Sequence, residues 1–180
     1  SFLSFGSGLS GVLLGIRAES EGFGTVVSGL IMTSYFVGFL FGTRYVEHAL
    51  VSVGHIRVFA ALASLASSVV LLQVIWIHPI SWALLRFMFG LCIAGLFVVA
   101  ESWLNDLATN ATRGRILAVY MVVTMGSMAG GQFLINSASP DGFVLFGLAS
   151  VLVSMALVPI TLSASSAPPA SVPTPIGFRE

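Results

Sequence analysis

The sequence predicts an all-α polytopic membrane protein whose six transmembrane helices form one bundle. Three observations carry that prediction. Hydrophobic residues make up 57% of the 180 and charged residues only 8%; mean hydropathy is +1.02. The charges stand in clumps with long uncharged runs between them. Those runs are continuously apolar rather than alternating, which excludes barrel strands. An ordinary soluble domain carries roughly 25% charged residues. Seven Arg, seven acids and no Lys cannot cover 18.9 kDa with a water-soluble surface. A soluble globular enzyme, a disordered tail and a nucleic-acid binder, which would need a basic excess, are excluded. The net charge of zero implies no polyelectrolyte partner. Cys92 alone supplies neither an internal disulfide nor a thiolate zinc site. No two histidines have ligand spacing on one helix face, so no metal site and no cofactor are expected. The expected medium is the lipid bilayer.

The uncharged runs place the spans. They cover residues 1–16, 22–43, 58–85, 116–140 and 142–178. A crossing takes about 20 apolar residues, since ~30 Å of hydrocarbon is spanned at ~1.5 Å per residue. Six helices follow, at about 1–16, 23–43, 56–77, 80–104, 115–137 and 143–163, the fourth with Arg86 inside it. The first is short, and the chain starts with Ser1 rather than Met, as expected of a start that has lost part of helix 1. No basic segment precedes it, so a signal peptide is not expected. Residues 164–180 are Ser/Ala/Pro-rich and read as a cytoplasmic linker or tail.

Arginine placement sets the orientation. If the 17–22 loop is outside, so are His78-Pro79 and Ser139-Pro140-Asp141-Gly142. Inside fall Arg44, Arg57, Arg113, Arg115 and, in the tail, Arg179. That is five inside against Arg17 outside, with both termini cytoplasmic at a cell (inner or plasma) membrane.

Glycine spacing marks helix packing. Gly11-x-x-x-Gly15, Gly38-x-x-x-Gly42 and Gly126-x-x-x-Gly130 each set two small residues on one face, where backbones can approach closely. Plain close packing explains any one pair; smooth interfaces that slide during transport are the functional reading. Helices 1, 2, 4 and 5 are Gly-rich and suit an inner moving set, with 3 and 6 as outer supports. Tyr35 and Tyr120 lie at similar depths, and Leu62-Ala63-Ser64 recurs as Leu148-Ala149-Ser150. An inverted three-plus-three repeat would produce such echoes.

Polar residues inside spans are costly and informative. Arg86 must snorkel, pair or face a wet cavity. Glu101, fifteen residues on, falls about 60° away in azimuth and ~22 Å away in height, so the two cannot pair. Glu101 is expected to join Asp106, Arg113 and Arg115 in an inner charge cluster able to latch a gate. Tyr35, Tyr120, Thr124, Gln132 and Asn136 are the uncharged candidates for a substrate path. Helix-to-helix hydrogen bonding is the competing explanation, and the stronger one for Gln132 and Asn136.

Two other function classes compete with transport. GxxxG faces would suit a non-enzymatic six-helix subunit that oligomerises. Gly8-Leu9-Ser10-Gly11 is similar to the serine motif of rhomboid intramembrane proteases, but His48, His55 and His78 lie at loop ends and supply no base for Ser10. No catalytic residue is expected.

Several strings taken together resemble one family. They are Ser34-Tyr35-Phe36-Val37-Gly38 with Gly42, Gly54-His55-Ile56-Arg57, and Arg86-Phe87-Met88-Phe89-Gly90. Further on come Val98-Val99-Ala100-Glu101-Ser102, Asn110-Ala111-Thr112-Arg113-Gly114-Arg115, Tyr120-Met121-Val122-Val123 and Gly130-Gly131-Gln132. The set resembles the N-terminal six-helix half of a major facilitator superfamily transporter, in its YcaD-like branch, from about Ser1 to Leu162. The resemblance implies a C-terminal six-helix half as partner, a central path for a small organic solute, and alternating access by rocking of the halves. Arg86 and Gly90 would match the helix-4 motif, and Glu101, Arg113 and Arg115 the inner charge cluster. Glu101, the one clear acid near a span, makes a proton gradient the candidate energy source. Gly126, Gly130 and Gly131 partly match the helix-5 motif, but its antiporter proline is absent. The helix 2–3 loop departs most. Counting back from Gly54, Val51 stands where an Asp is expected, Ser52 where an Arg is, and Glu47 where a Gly is. Arg57 keeps the basicity, displaced by two, and Glu47 is the remaining acid.

Overall fold

The computed structural model describes residues 1–162, so the 164–180 segment and Arg179 lie outside the described residues. All regular structure among them is helical: α1 (Phe2–Ser20), α2 (Gly24–Val53), α3 (His55–Ile75), α4 (Pro79–Leu107), α5 (Arg113–Phe133), α6 (Val144–Met155) and α7 (Leu157–Leu162). A 3-10 turn, Leu134–Ser137, extends α5. Five stretches are long and apolar enough to cross a membrane: Gly24–Val53, His55–Ile75, Pro79–Leu107, Arg113–Ser137 and Val144–Leu162. α1 falls short on composition, because four glycines, four serines, Arg17 and Glu19 dilute its apolar residues.

Helix ends differ from the expected spans for a consistent reason. Charges mark where a membrane ends, whereas Gly and Pro mark where a helix ends. α2 was expected to stop at 43, before Arg44, yet it runs on to Val53. Nothing between Gly42 and Gly54 breaks it, and Gly54, at φ 91°, makes the corner into α3. The inner loop expected there is therefore a helical extension bearing Arg44, Glu47 and His48. α1 likewise runs to Ser20 and α4 to Leu107, and α5 starts at Arg113. The sixth predicted helix is broken at Ala156. Pro159 cannot donate to the Met155 carbonyl and its ring crowds that group. At the start of α4 His78 is the cap, its Nδ1 accepting from the Ile80 N–H at 3.3 Å, and Pro79 occupies the first turn.

α4 is the central helix. Half of its spanning segment is buried, against 11% of those of α2 and α5. Its core residues Trp82, Phe89, Ile93 and Leu96 meet Leu9, Leu13, Leu14, Phe59 and Phe146 from other helices. The main packing pairs are α2 with α4, α1 with α5, α3 with α4, α1 with α6, and α3 with α6. Exchanging helices 1, 2, 3 for helices 4, 5, 6 leaves that set unchanged.

The two crossings related by this exchange are built alike. Between α2 and α4, Gly38 lies on the Phe87 backbone, Gly42 on that of Leu91, and Gly90 on that of Tyr35; a Cβ on any of them would collide. Between α1 and α5, Gly8 lies on the Met128 backbone and Gly131 on that of Phe5. Gly130 faces the Phe5 ring. Gly126 corrects the sequence expectation: no atom lies within 4 Å of its would-be Cβ, so it packs against nothing here. Gly11 and Gly15 make room for side chains, with Arg86 and Met32 the nearest groups, rather than for a helix backbone.

Polar ties hold the remaining pairs. Ser67 of α3 bonds Ser150 (2.7 Å) and Ser154 (2.9 Å) of α6. Such bonds within a bilayer contribute roughly 0.6–2 kcal/mol each. Arg17 pairs with Glu21 (2.7 Å) and donates to the Asp141 carbonyl, joining the end of α1 to the 139–142 loop. Those two loops therefore share one end of the bundle, as the alternating assignment requires.

Candidate functional site

The Arg86 side chain does not snorkel. Its residue is 5% exposed, and the guanidinium lies inward between α1, α2 and α4. Nη1 donates to Ser10 Oγ at 3.3 Å, and Nη2 lies 4.0 Å from Met32 Sδ. Cζ stands 5.0 Å from the Tyr35 ring centroid and 5.7 Å from that of Phe89. These π faces stabilise a cation where water is scarce. Nε is buried without a hydrogen-bond partner. Among the described residues the carboxylates that lie near a basic group are Glu21 and Asp141, beside Arg17, and Asp106, beside His55, so no carboxylate neutralises Arg86. Ser10 is thereby accounted for: its partner is a permanent donor that cannot take a proton, not a base.

Arg86 borders a cavity of about 480 Å³, lined also by Ser7, Gly11, Met32, Tyr35, Phe36, Phe39, Phe97 and Met128. A second cavity of about 470 Å³ continues toward the C-terminal end of α4, lined by Phe39, Thr43, Ala94, Phe97, Val98, Glu101, Tyr120, Met121, Thr124 and Met125. Phe39 and Phe97 line both, so these rings stand between them. Down α4, Arg86, Phe97 and Glu101 form a stripe: eleven residues turn the helix by only about 20°, and fifteen by about 60°. In the second cavity the Tyr120 and Thr124 hydroxyls are buried close to one another, with the Glu101 carboxylate beside Tyr120. They come from one face of α5, four residues apart.

The structure thus brings Arg86 and Tyr35 together at one end, and Tyr120, Thr124 and Glu101 at the other. Gln132 and Asn136 are exposed and line neither cavity. Asn136 instead donates to the Phe133 carbonyl at 3.2 Å.

The expected inner charge cluster is not assembled in this form. Glu101 lines the second cavity, and neither Arg113 nor Arg115 pairs with it among the described residues. Both arginines open α5 on its exposed first turn, and Glu47 and Arg57 are exposed as well. Asp106 turns to α3, where His55 Nε2 lies 4.0 Å from its Oδ2 and 3.2 Å from Ser102 Oγ. His55 is 3% exposed and also meets the Trp103 ring. Sequence reasoning passed over His55 because it follows a glycine at a helix boundary. The signal available was the i, i+4 pair Ser102 and Asp106 on the helix that α3 packs against. Phe39 and Phe97 were missed too, because aromatic residues in a span read as ordinary lipid-phase filling. Gln73 is a further surprise: both side-chain amide atoms are buried without partners, while its carbonyl accepts from Trp82 Nε1 at 2.9 Å.

Comparison with known proteins gives the context for this geometry. No family model and no solved structure matches the chain. An uncharacterized MFS-type transporter YcaD of Salmonella arizonae is 34% identical over 138 residues, covering 69% of this chain and 35% of the relative. The YcaD of Salmonella paratyphi B is 32% identical over 135 residues with the same coverage. That of Escherichia fergusonii is 31% identical over 133 residues, covering 73% of this chain and 35% of the relative. The chain spans about a third of the length of the curated relatives it matches. Over the matched residues the chain is similar to YcaD-like, MFS-type transporters, and with its apolar helices that likeness supports an integral membrane protein.

Proposed function

We propose that the chain forms one helical half of a secondary transporter that carries a small organic solute by alternating access. The observation that carries this reading is the pair of cavities along α4, separated by Phe39 and Phe97, with a buried cation in one and an acid in the other. The bare faces of α2 and α5 suit cover by a second six-helix bundle, the C-terminal half in this reading. Tight glycine crossings between α2 and α4 and between α1 and α5 give smooth contacts of the kind that permit rocking. Glu101 at the inner cavity is the group through which a proton gradient would act. In this scheme the membrane is the cell membrane, and the His55 end of the bundle faces the cytoplasm by the arginine bias.

The test is solute accumulation in vesicles. The chain is reconstituted alone, and also together with the portion of a YcaD relative that lies outside the match. Accumulation of a screened organic solute that requires both pieces and collapses when the ion gradient is dissipated is the expected outcome. Robust uptake by the chain alone, or none with both pieces inserted, overturns the half-transporter reading.

A further inference from the structure

Arg86 poses a balance problem that the rest of the bundle leaves open. An arginine cannot shed its proton in a protein. An ionised group held away from water needs a counter-charge or is strongly unfavourable. Among the described residues no carboxylate pairs with it, and its Nε has no partner. The hydroxyl of Ser10 and the faces of Tyr35 and Phe89 help to solvate the cation but carry no net negative charge. The cavity beside it holds about 480 Å³ and is walled mainly by rings and thioethers: Met32, Phe36, Phe39, Phe97 and Met128. A site with one fixed cation and such walls matches a ligand with one anionic end and an apolar body.

We propose that the Arg86 cavity binds an organic monoanion, a carboxylate on a flat apolar body. The carboxylate would accept from the guanidinium, and the body would lie among Met32, Tyr35, Phe36 and Phe39. A monoanion rather than a dianion follows from the single cation: a second negative charge would be buried uncompensated. The assignment rests on the transport path proposed above and names the class of solute it admits. It also gives Tyr35 a role, since its ring fixes the guanidinium and borders the cavity.

The test uses the full chain in lipid nanodiscs, with phenylacetate and its neutral isostere phenylacetamide as probes, followed by titration calorimetry. Phenylacetate is expected to bind about tenfold tighter or more, the scale of one charge-assisted hydrogen bond. Arg86→Gln should erase the difference between the two probes. Arg86→Lys should retain a preference for the anion, which guards against a variant that merely misfolds. Equal affinity for the two probes in the wild-type chain overturns the proposal, as does binding of neither. So does an anion preference that survives Arg86→Gln. Anion preference without solute accumulation would support this site while removing the transport reading. Accumulation of a solute undisturbed by Arg86→Gln would support transport and overturn this site.

Discussion

Gly90 of α4 lies directly on the backbone carbonyl of Tyr35 in α2, and the Tyr35 ring in turn lies against the guanidinium of Arg86, four residues before that glycine. The close crossing and the buried cation are therefore one construction. Gly38 and Gly42 from the α2 side and Gly90 from the α4 side bring the backbones together, and this sets the Tyr35 ring within cation–π reach.

A methyl group at that crossing should separate the helices. Gly38→Ala would press a Cβ onto the Phe87 carbonyl, so it is expected to lower stability by about 1–3 kcal/mol, the usual scale of overpacking. Gly126→Ala meets no atom within 4 Å and sits inside α5, so it should be neutral or slightly stabilising, by up to about 1 kcal/mol. Unfolding in mixed micelles followed by helicity distinguishes the two. Equal effects at both positions would show that the crossing is looser than described.

The C-terminal end of α4 makes a second contrast. His55 is buried and tied to Ser102 and Asp106, whereas Arg113 opens α5 without an ion pair among the described residues. His55→Ala should cost about 1 kcal/mol or more, through a lost hydrogen bond and lost packing. Arg113→Ala should stay within about 0.5 kcal/mol. A larger loss at Arg113 would restore the inner arginine cluster as the structural tie.

Phe97 separates the two cavities, so its size should govern passage. With the complementing portion present, Phe97→Trp should slow solute accumulation by a larger factor than it weakens phenylacetate binding, since Phe97 walls the Arg86 cavity and also separates it from the second one. Initial uptake rates read beside equilibrium binding provide the check. An equal loss of both would show that Phe97 acts only as a wall of the Arg86 cavity and not as a gate between the two.

The helical class was legible because composition and run length depend on the bilayer alone, which demands continuous apolar helices. The relation of Arg86 to the stripe down α4 was legible by the same arithmetic, since azimuth and rise are fixed by helix geometry. Which glycines pack was only partly legible. GxxxG marked Gly38 and Gly42 correctly as close-approach positions, but the same spacing marked Gly126, which faces open space, and missed Gly8 and Gly131. Spacing says which residues share a face; it does not say what that face meets. The direction in which Glu101 turns was hidden for the same reason. Charge complementarity in sequence pointed to Arg113 and Arg115, whereas the facing of α4 and α5 sets it beside Tyr120 and Thr124.

The central claim is a water-accessible path along α4, and thiol labelling tests it directly. Cys92 is fully buried, so single cysteines can be added with little background. Val98→Cys and Thr124→Cys face the path, whereas Leu65→Cys on α3 and Val151→Cys on α6 lie on exposed apolar faces of spanning helices. In the membrane, with the complementing portion present, a charged membrane-impermeant methanethiosulfonate should modify the first pair at least about tenfold faster than the second, because lipid excludes both the reagent and the thiolate it needs. Path positions as unreactive as the lipid-facing pair would contradict the account.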